Sequence, residues 1–255
     1  MSIVAFTIFG VEVHWYGIMI ALGIIFAVLL AFFVFKFRDL KTDYIFELLL
    51  WILPPAIIGA RLYYLIFNGG PWGWDAFAIW KGGLAVYGSI IGGALGVVLF
   101  CIVRKVNFLK VADAIVPSLA LGQAFGRIGC CLGGCCYGIE TTNPNLMHFP
   151  FSLNIDGTWH LATNLYESFF SFLICLVLVL MIRKIGLKGV IMGTYFVLYG
   201  VLRSVLESFR DPHEALFIGS VRVSLLLSIL LTVAGATIII TQIILQNKKQ
   251  KKRIS

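Results

Sequence analysis

The chain has 255 residues, of which 60% are hydrophobic and 13% charged, and its mean hydropathy is +0.97. Soluble domains are about 45–50% apolar and about 25% charged, so this composition argues against a soluble enzyme and excludes a disordered or collagen-like chain. The net charge of +8 then raises the question of where the positive residues sit along a membrane protein.

Seven apolar stretches follow one another, at about 15–35, 44–67, 82–103, 112–135, 164–182, 189–209 and 223–245. Each is long enough to cross a bilayer, which takes roughly 20 residues. In lipid a segment must satisfy its own backbone, so these runs are expected to be helices. A transmembrane barrel would instead alternate over segments of about ten residues. The expected fold is all-α and polytopic, with seven transmembrane helices.

Basic residues cluster in alternate connections. Lys36, Arg38 and Lys41 follow the first stretch; Arg104, Lys105 and Lys110 follow the third. Arg183, Lys184 and Lys188 follow the fifth, and Lys248, Lys249, Lys251, Lys252 and Arg253 follow the seventh. The other connections hold only Lys81, Arg210 and Arg222. The positive-inside rule then places the N-terminus outside and the C-terminus in the cytoplasm, which an odd number of spans requires. The basic tail at 246–255 reads as an anchor beside anionic lipid, with no nucleic-acid partner. The first apolar run is too long for a signal-peptide core and has no basic leader, so it is expected to remain as a span. The chain is read as a single transmembrane domain over 1–255, with a small extracytoplasmic cap at about 136–162.

A charge inside a span costs about 2.5–3.5 kcal/mol on insertion scales and needs a partner, a cavity or a function. Glu47, Arg61, Asp113, Arg127, Glu167, Arg203 and Glu207 are such charges. In the sixth stretch Tyr195, Tyr199, Arg203 and Glu207 recur every four residues along one helix face. An Arg203–Glu207 ion pair would make that face tolerable. Arg61 and Arg127, at a similar expected depth, suggest more. Guanidiniums suit phosphate because each donates a planar pair of hydrogen bonds. Glycines accompany them. Gly82-Gly83 and Gly92-Gly93 bound a small-residue segment after Trp80 and Lys81, and close helix packing explains Gly92 and Gly93. Gly126 and Gly129 instead flank Arg127, where backbone can approach a ligand.

Six motifs in this order resemble the prolipoprotein diacylglyceryl transferases of the bacterial plasma membrane. They are His14-Trp15-Tyr16-Gly17, Gly59-Ala60-Arg61-Leu62, Gly82-Gly83-Leu84 through Gly88, Gly126-Arg127-Ile128-Gly129, Leu165-Tyr166-Glu167, and Tyr199-Gly200-Val201-Leu202-Arg203 with Glu207. The resemblance implies a multi-pass membrane enzyme that moves diacylglyceryl from phosphatidylglycerol, a membrane lipid, to the signal-peptide cysteine of a secreted precursor. A thioether forms and glycerol phosphate leaves. By this resemblance Arg127 and Arg203 hold the phosphate, while His14, Tyr16, Arg61, Tyr199, Glu207, Gly126 and Gly129 form the headgroup pocket. Glu167 is a further candidate. The reaction as written needs no cofactor and no metal.

The chain departs from the family in two places. Tyr87 stands where many members have histidine, and is expected to relay the thiol proton. Cys130 and Cys135 replace the usual asparagine and acid, within Cys130-Cys131-Leu132-Gly133-Gly134-Cys135-Cys136. These thiols read as free, as a disulfide such as Cys131 with Cys135, as a structural metal site, or as participants in transfer. Cys101 and Cys175 read as buried small residues. Two other functions stay open: a related transferase with another thiol acceptor, and a non-enzymatic anion- or lipid-binding membrane protein. A thiol oxidoreductase is disfavoured by the lack of a Cys-x-x-Cys motif.

Overall fold

The computed structural model describes residues 4–8, 11–67, 69, 73–77, 82–210, 217–218 and 221–254. Trp80 and Lys81 lie outside the described residues. Among the described residues there are seven α-helices: α1 (Trp15–Phe37), α2 (Tyr44–Phe67), α3 (Val86–Arg104), α4 (Phe108–Leu132), α5 (Thr163–Lys184), α6 (Val190–Glu207) and α7 (Val223–Ile254). All seven are long and apolar enough to cross a membrane. Three antiparallel two-stranded sheets accompany them among the described residues: β1 (Val4–Ile8) with β2 (Val11–His14) ahead of α1, β3 (Ser152–Ile155) with β4 (Thr158–Leu161) between α4 and α5, and β5 (Phe217–Ile218) with β6 (Val221–Arg222) between α6 and α7. The second lies within the expected cap. Its two-residue turn, Asp156-Gly157, has both φ angles positive, as a tight hairpin requires.

Four helix limits differ from those expected by three residues or more: α4 starts at Phe108 rather than 112, and the other three have a local reason. Gly82 and Gly83 have φ of 83° and 73°, left-handed values that no helix continues, so α3 starts at Val86. The fourth helix stops at Leu132 because Gly134 is left-handed, with φ of 65°. The basic tail carries no helix breaker, so α7 runs on to Ile254.

The chain divides into two compact units, Arg38–Ala112 and Met1–Phe37 with Asp113–Ser255. In the first, α2 and α3 pack backbone to backbone. A Cβ on Gly88, Gly92 or Gly96 would strike the carbonyls of Gly59, Pro55 and Trp51 respectively. Glycine is required there because only its bare Cα allows so close an approach. Pro55 lacks an N–H, which frees the Trp51 carbonyl that Gly96 then approaches. Glu47 and Arg104 form a forked pair across the same two helices, at 2.7 and 2.6 Å.

In the other unit, α1 packs on α5, α5 on α6 and α6 on α7. Helix α4 joins this group: Phe125 stacks on Phe26 of α1, and the Ser168 hydroxyl donates to the Ala124 carbonyl at 2.9 Å. Gly193 and Gly235 let α6 and α7 touch through their backbones. Asp113 is fully buried. Its carboxylate accepts the N–H groups of Gly189 and Met192, at 2.7 and 2.9 Å. It therefore caps the N-terminus of α6 from outside that helix.

Candidate functional site

The expected Arg203–Glu207 pair is present, with Nη2 3.1 Å from Oε2. It is one part of a larger network. Glu167, in the second turn of α5, lies between two arginines from two other helices. Arg127 Nη2 of α4 is 3.0 Å from Oε1, and Arg203 Nη1 of α6 is 3.2 Å from Oε2. The Tyr199 hydroxyl donates to the same Oε1 at 3.0 Å. One carboxylate thus ties together three helices that the sequence separates by 40 and 36 positions. The side chains of Glu167 and Glu207 are 4% and 2% exposed, whereas that of Arg127 is 23% exposed. Arg127 is the member of the network that a ligand can reach most readily. Tyr195 stacks on Tyr199 at 5.7 Å and donates to Gln123 Oε1 at 2.7 Å, which fixes that face of α6.

Gly126 and Gly129 play different parts. A Cβ on Gly129 would meet Tyr16 and Met19 of α1 at 3.2 Å, so this glycine lets α1 approach α4. At Gly126 the nearest such atom is Ile20 Cδ1 at 3.9 Å, so packing does not demand a glycine there. Tyr16, in the first turn of α1, is half-exposed and in electrostatic range of Arg127, Cys130, Cys135 and Cys136. His14 ends β2, opposite Val4.

One turn beyond Arg127 the cysteines converge. Cys135 N–H donates to the Cys130 carbonyl at 3.0 Å, and Gly134 N–H to that of Cys131 at 3.2 Å. This is a Schellman ending, which needs the left-handed Gly134. It folds Cys135 back over the last turn of α4, and its Sγ approaches the Cys130 carbonyl at 3.6 Å. Cys136 then adopts φ of 59°. The Sγ atoms of Cys130, Cys135 and Cys136 all lie within 4.8 Å of one another.

The first residues of α5 hold this turn. Asn164 Nδ2 donates to the Cys135 carbonyl at 3.1 Å and Thr163 Oγ1 to that of Cys136 at 3.4 Å. Gly138 bridges to Arg210, which brings that arginine into electrostatic range of Cys136. Hydrogen bonds from the Cys130 and Cys135 thiols lower the pKa of Cys136, and Arg127 and Arg210 lower it further. The same thiol contacts push that of Cys135 up. Cys136 is therefore the thiol favoured as thiolate. None of the six cysteines is in a disulfide. Cys131 points elsewhere, buried against Leu153 and Ala162, so the close triplet is not the expected pairing of Cys131 with Cys135. Thr163 and Asn164 were not among the residues that the sequence singled out for the site; Cys136 was read only as part of the cysteine run, and Arg210 only as a charge in a connection.

Arg61 and Tyr87 belong to the unit of α2 and α3. Arg61 is buried. Its Nε donates to the Ala76 carbonyl at 2.8 Å, and its Nη1 to those of Gly82 and Gly83 at 2.7 and 3.1 Å. It holds the backbone ahead of α3. Tyr87 lies in the first turn of α3, its ring 6.1 Å from that of Tyr63.

A sequence model of the family described as prolipoprotein diacylglyceryl transferase matches residues 3–241. The chain belongs to this family. It is 38% identical to a phosphatidylglycerol–prolipoprotein diacylglyceryl transferase of Finegoldia magna, over 100% of this chain and 98% of that protein. It is 37% identical to an enzyme so named, numbered 1, of Clostridium perfringens, over 100% and 99%. A Clostridium botulinum relative of the same name is 36% identical, over 90% and 92%. Family membership and the seven apolar helices make this a multi-pass membrane protein.

Proposed function

We propose that this protein transfers diacylglyceryl from phosphatidylglycerol to the signal-peptide cysteine of secreted prolipoproteins in the bacterial plasma membrane. The observation that carries this reading is the network of Arg127, Glu167, Arg203 and Glu207, together with the names of relatives that align over nearly their whole length. The acceptor sulfur bonds to the glyceryl carbon, the bond from that carbon to the phosphate oxygen breaks, and glycerol phosphate leaves. The acceptor proton balances the charge that appears on the phosphate. The leaving group needs a preorganised positive site. Arg127, which the network leaves partly exposed, meets the phosphate first. Arg203, held by two carboxylates, keeps the second guanidinium in register. Balanced charge keeps two arginines in a low-dielectric bundle at tolerable cost when no lipid is bound.

Tyr199 orients Glu167, and Tyr16 with His14 borders the entrance near Arg127. Tyr87 relays the acceptor proton. The test is a proteoliposome assay with phosphatidylglycerol and a peptide bearing the signal-peptide cysteine, read by mass. The peptide should gain one diacylglyceryl group, and a serine peptide should gain none. An unmodified cysteine peptide beside released glycerol phosphate would reject the acceptor; no consumption of phosphatidylglycerol would reject the donor.

A further inference from the structure

Three thiols within 4.8 Å of one another need an explanation that packing does not supply. Cys130 and Cys136 are half-buried and Cys135 is exposed, so the group borders an opening. Their convergence is built by the backbone: a Schellman turn places Cys135 over Cys130, and Asn164 and Thr163 fix the carbonyls of Cys135 and Cys136. Around a tetrahedral ion with sulfur at about 2.3 Å, ligand sulfurs lie about 3.8 Å apart. The observed spacing is compatible with that after small side-chain rotations.

The geometry points to a metal site: Cys130, Cys135 and Cys136 bind one soft cation, Zn2+ being the fitting class, and its fourth position takes the acceptor cysteine as a thiolate. This rests on the transferase reading and assigns the acceptor end of it. Thiolate ligands select zinc over magnesium or calcium. Three protein ligands with one open position are the pattern of catalytic rather than structural zinc. Three thiolates and a divalent ion carry one net negative charge, and Arg127 and Arg210, both in electrostatic range of Cys136, offset it.

The neighbouring groups explain why such an ion is useful. Glu167 is occupied by Arg127, Arg203 and Tyr199, and Glu207 by Arg203. The ring nitrogens of His160 face the Gly138 carbonyl and the Thr158 hydroxyl. None of these is poised to take a thiol proton. A thiol that coordinates zinc loses its proton outright. The acceptor proton is released as the sulfur binds and ends on the leaving phosphate, the bound sulfur attacks the glyceryl carbon, the bond from that carbon to the phosphate oxygen breaks, and the thioether product, a weaker ligand, departs.

The test uses the full-length protein in detergent under reducing conditions, equilibrated with zinc alone or with cobalt as a spectroscopic substitute. Wild type should retain about one zinc per chain, and the Cys130→Ser/Cys135→Ser/Cys136→Ser protein at least about tenfold less. Cys175→Ala, in the middle of α5, should bind as wild type. Cys135→Ser alone guards against misfolding of the triple variant, because its side chain is the most exposed. The cobalt form should show a thiolate charge-transfer band. A cysteine peptide should alter its ligand-field spectrum and a serine peptide should not.

Zinc retention unaffected by the triple substitution, or a native disulfide within the triplet, would overturn the site. A cobalt spectrum indifferent to the cysteine peptide would overturn the acceptor role. Undiminished lipid transfer by the metal-free triple variant would overturn the inference while leaving the transferase reading intact. A cobalt protein that responds to the peptide thiol, in a zinc enzyme that consumes no phosphatidylglycerol, would support the site and reject the lipid donor.

Discussion

Glu167 accepts from Arg127, Arg203 and Tyr199 while only 4% exposed, so its charge decides how both guanidiniums are held. Breaking a buried ion pair from one side costs about 3–5 kcal/mol, because the other charge is left uncompensated. Glu167→Gln should therefore lower both the unfolding temperature in detergent and turnover; a variant as stable and active as wild type would show that the arginines do not depend on this carboxylate. Arg127→Lys and Arg203→Lys should each lose most activity, since an ammonium keeps the charge and loses the planar fork. Arg104→Lys is the comparison, because Arg104 pairs with Glu47 on an exposed surface of the other unit. Arg222 is unsuitable for that purpose: it donates to the Glu207 carbonyl and so touches the network. Tyr87→Phe should abolish transfer yet keep phosphatidylglycerol binding, measured in parallel, because the role proposed for the phenol is to move a proton. Full turnover by that variant would remove Tyr87 from the mechanism. The grouping of Arg61 with Arg127 and Arg203 by expected depth says nothing of its partners. The structure gives Arg61 carbonyls 15, 21 and 22 residues onward, and such contacts leave no periodic trace in a sequence.

The helices were legible because each apolar run is long and lipid admits no other open-chain element. The face of Tyr195, Tyr199, Arg203 and Glu207 was legible because a four-residue repeat marks one side of a helix. The thiol triplet was hidden by a helix limit. If α4 continued to residue 135, Cys130 and Cys135 would point about 140° apart, at about 100° per residue. Because the helix ends at Leu132 and Gly134 turns left-handed, the chain doubles back and the two thiols meet. The Gly133-Gly134 pair is the signal that could have revealed this. Gly134→Ala should cost about 1–2 kcal/mol, the penalty of an L-residue in the left-handed region. It should also loosen the hold on Cys135, raising its rate of alkylation by a small thiol reagent in the purified protein. Unchanged stability and reactivity would mean that the turn does not set the triplet. The small-residue packing read for Gly92 and Gly93 holds for Gly92 and extends beyond it, but it does not hold for Gly93, where a Cβ would meet only ordinary contacts at 3.5 Å or more. Gly88, Gly92 and Gly96 form one stripe against α2, visible in the sequence as a repeat of four.

Across the whole chain, the same few charged residues divide between insertion and chemistry. Arg127 and Arg203 are matched by Glu167 of α5 and by Glu207 of α6 itself, so most of the excess positive charge lies at helix ends, in the connections and in the tail, where it is expected to direct topology. Asp113 is spent on capping α6 and Glu47 on Arg104. Four basic groups lie at or just past the C-terminal ends of α1, α3, α5 and α7, and clusters of this kind are retained on the cytoplasmic side. The expected arrangement is thus an external N-terminus, an internal C-terminus, and the β3–β4 hairpin with the segment before it outside. In that arrangement the turn of Cys130, Cys135 and Cys136, which runs directly into this segment, opens toward the compartment where a secreted precursor presents its cysteine. The check is accessibility in intact cells. With the three clustered cysteines replaced by serine to lower background, Asn145→Cys should react with a membrane-impermeant thiol reagent and Asn247→Cys should react only after lysis. Labelling of position 247 but not of 145 would invert the orientation. The basic clusters would then face outward, the thiol turn would face the cytoplasm, and an acceptor already exported would be out of its reach.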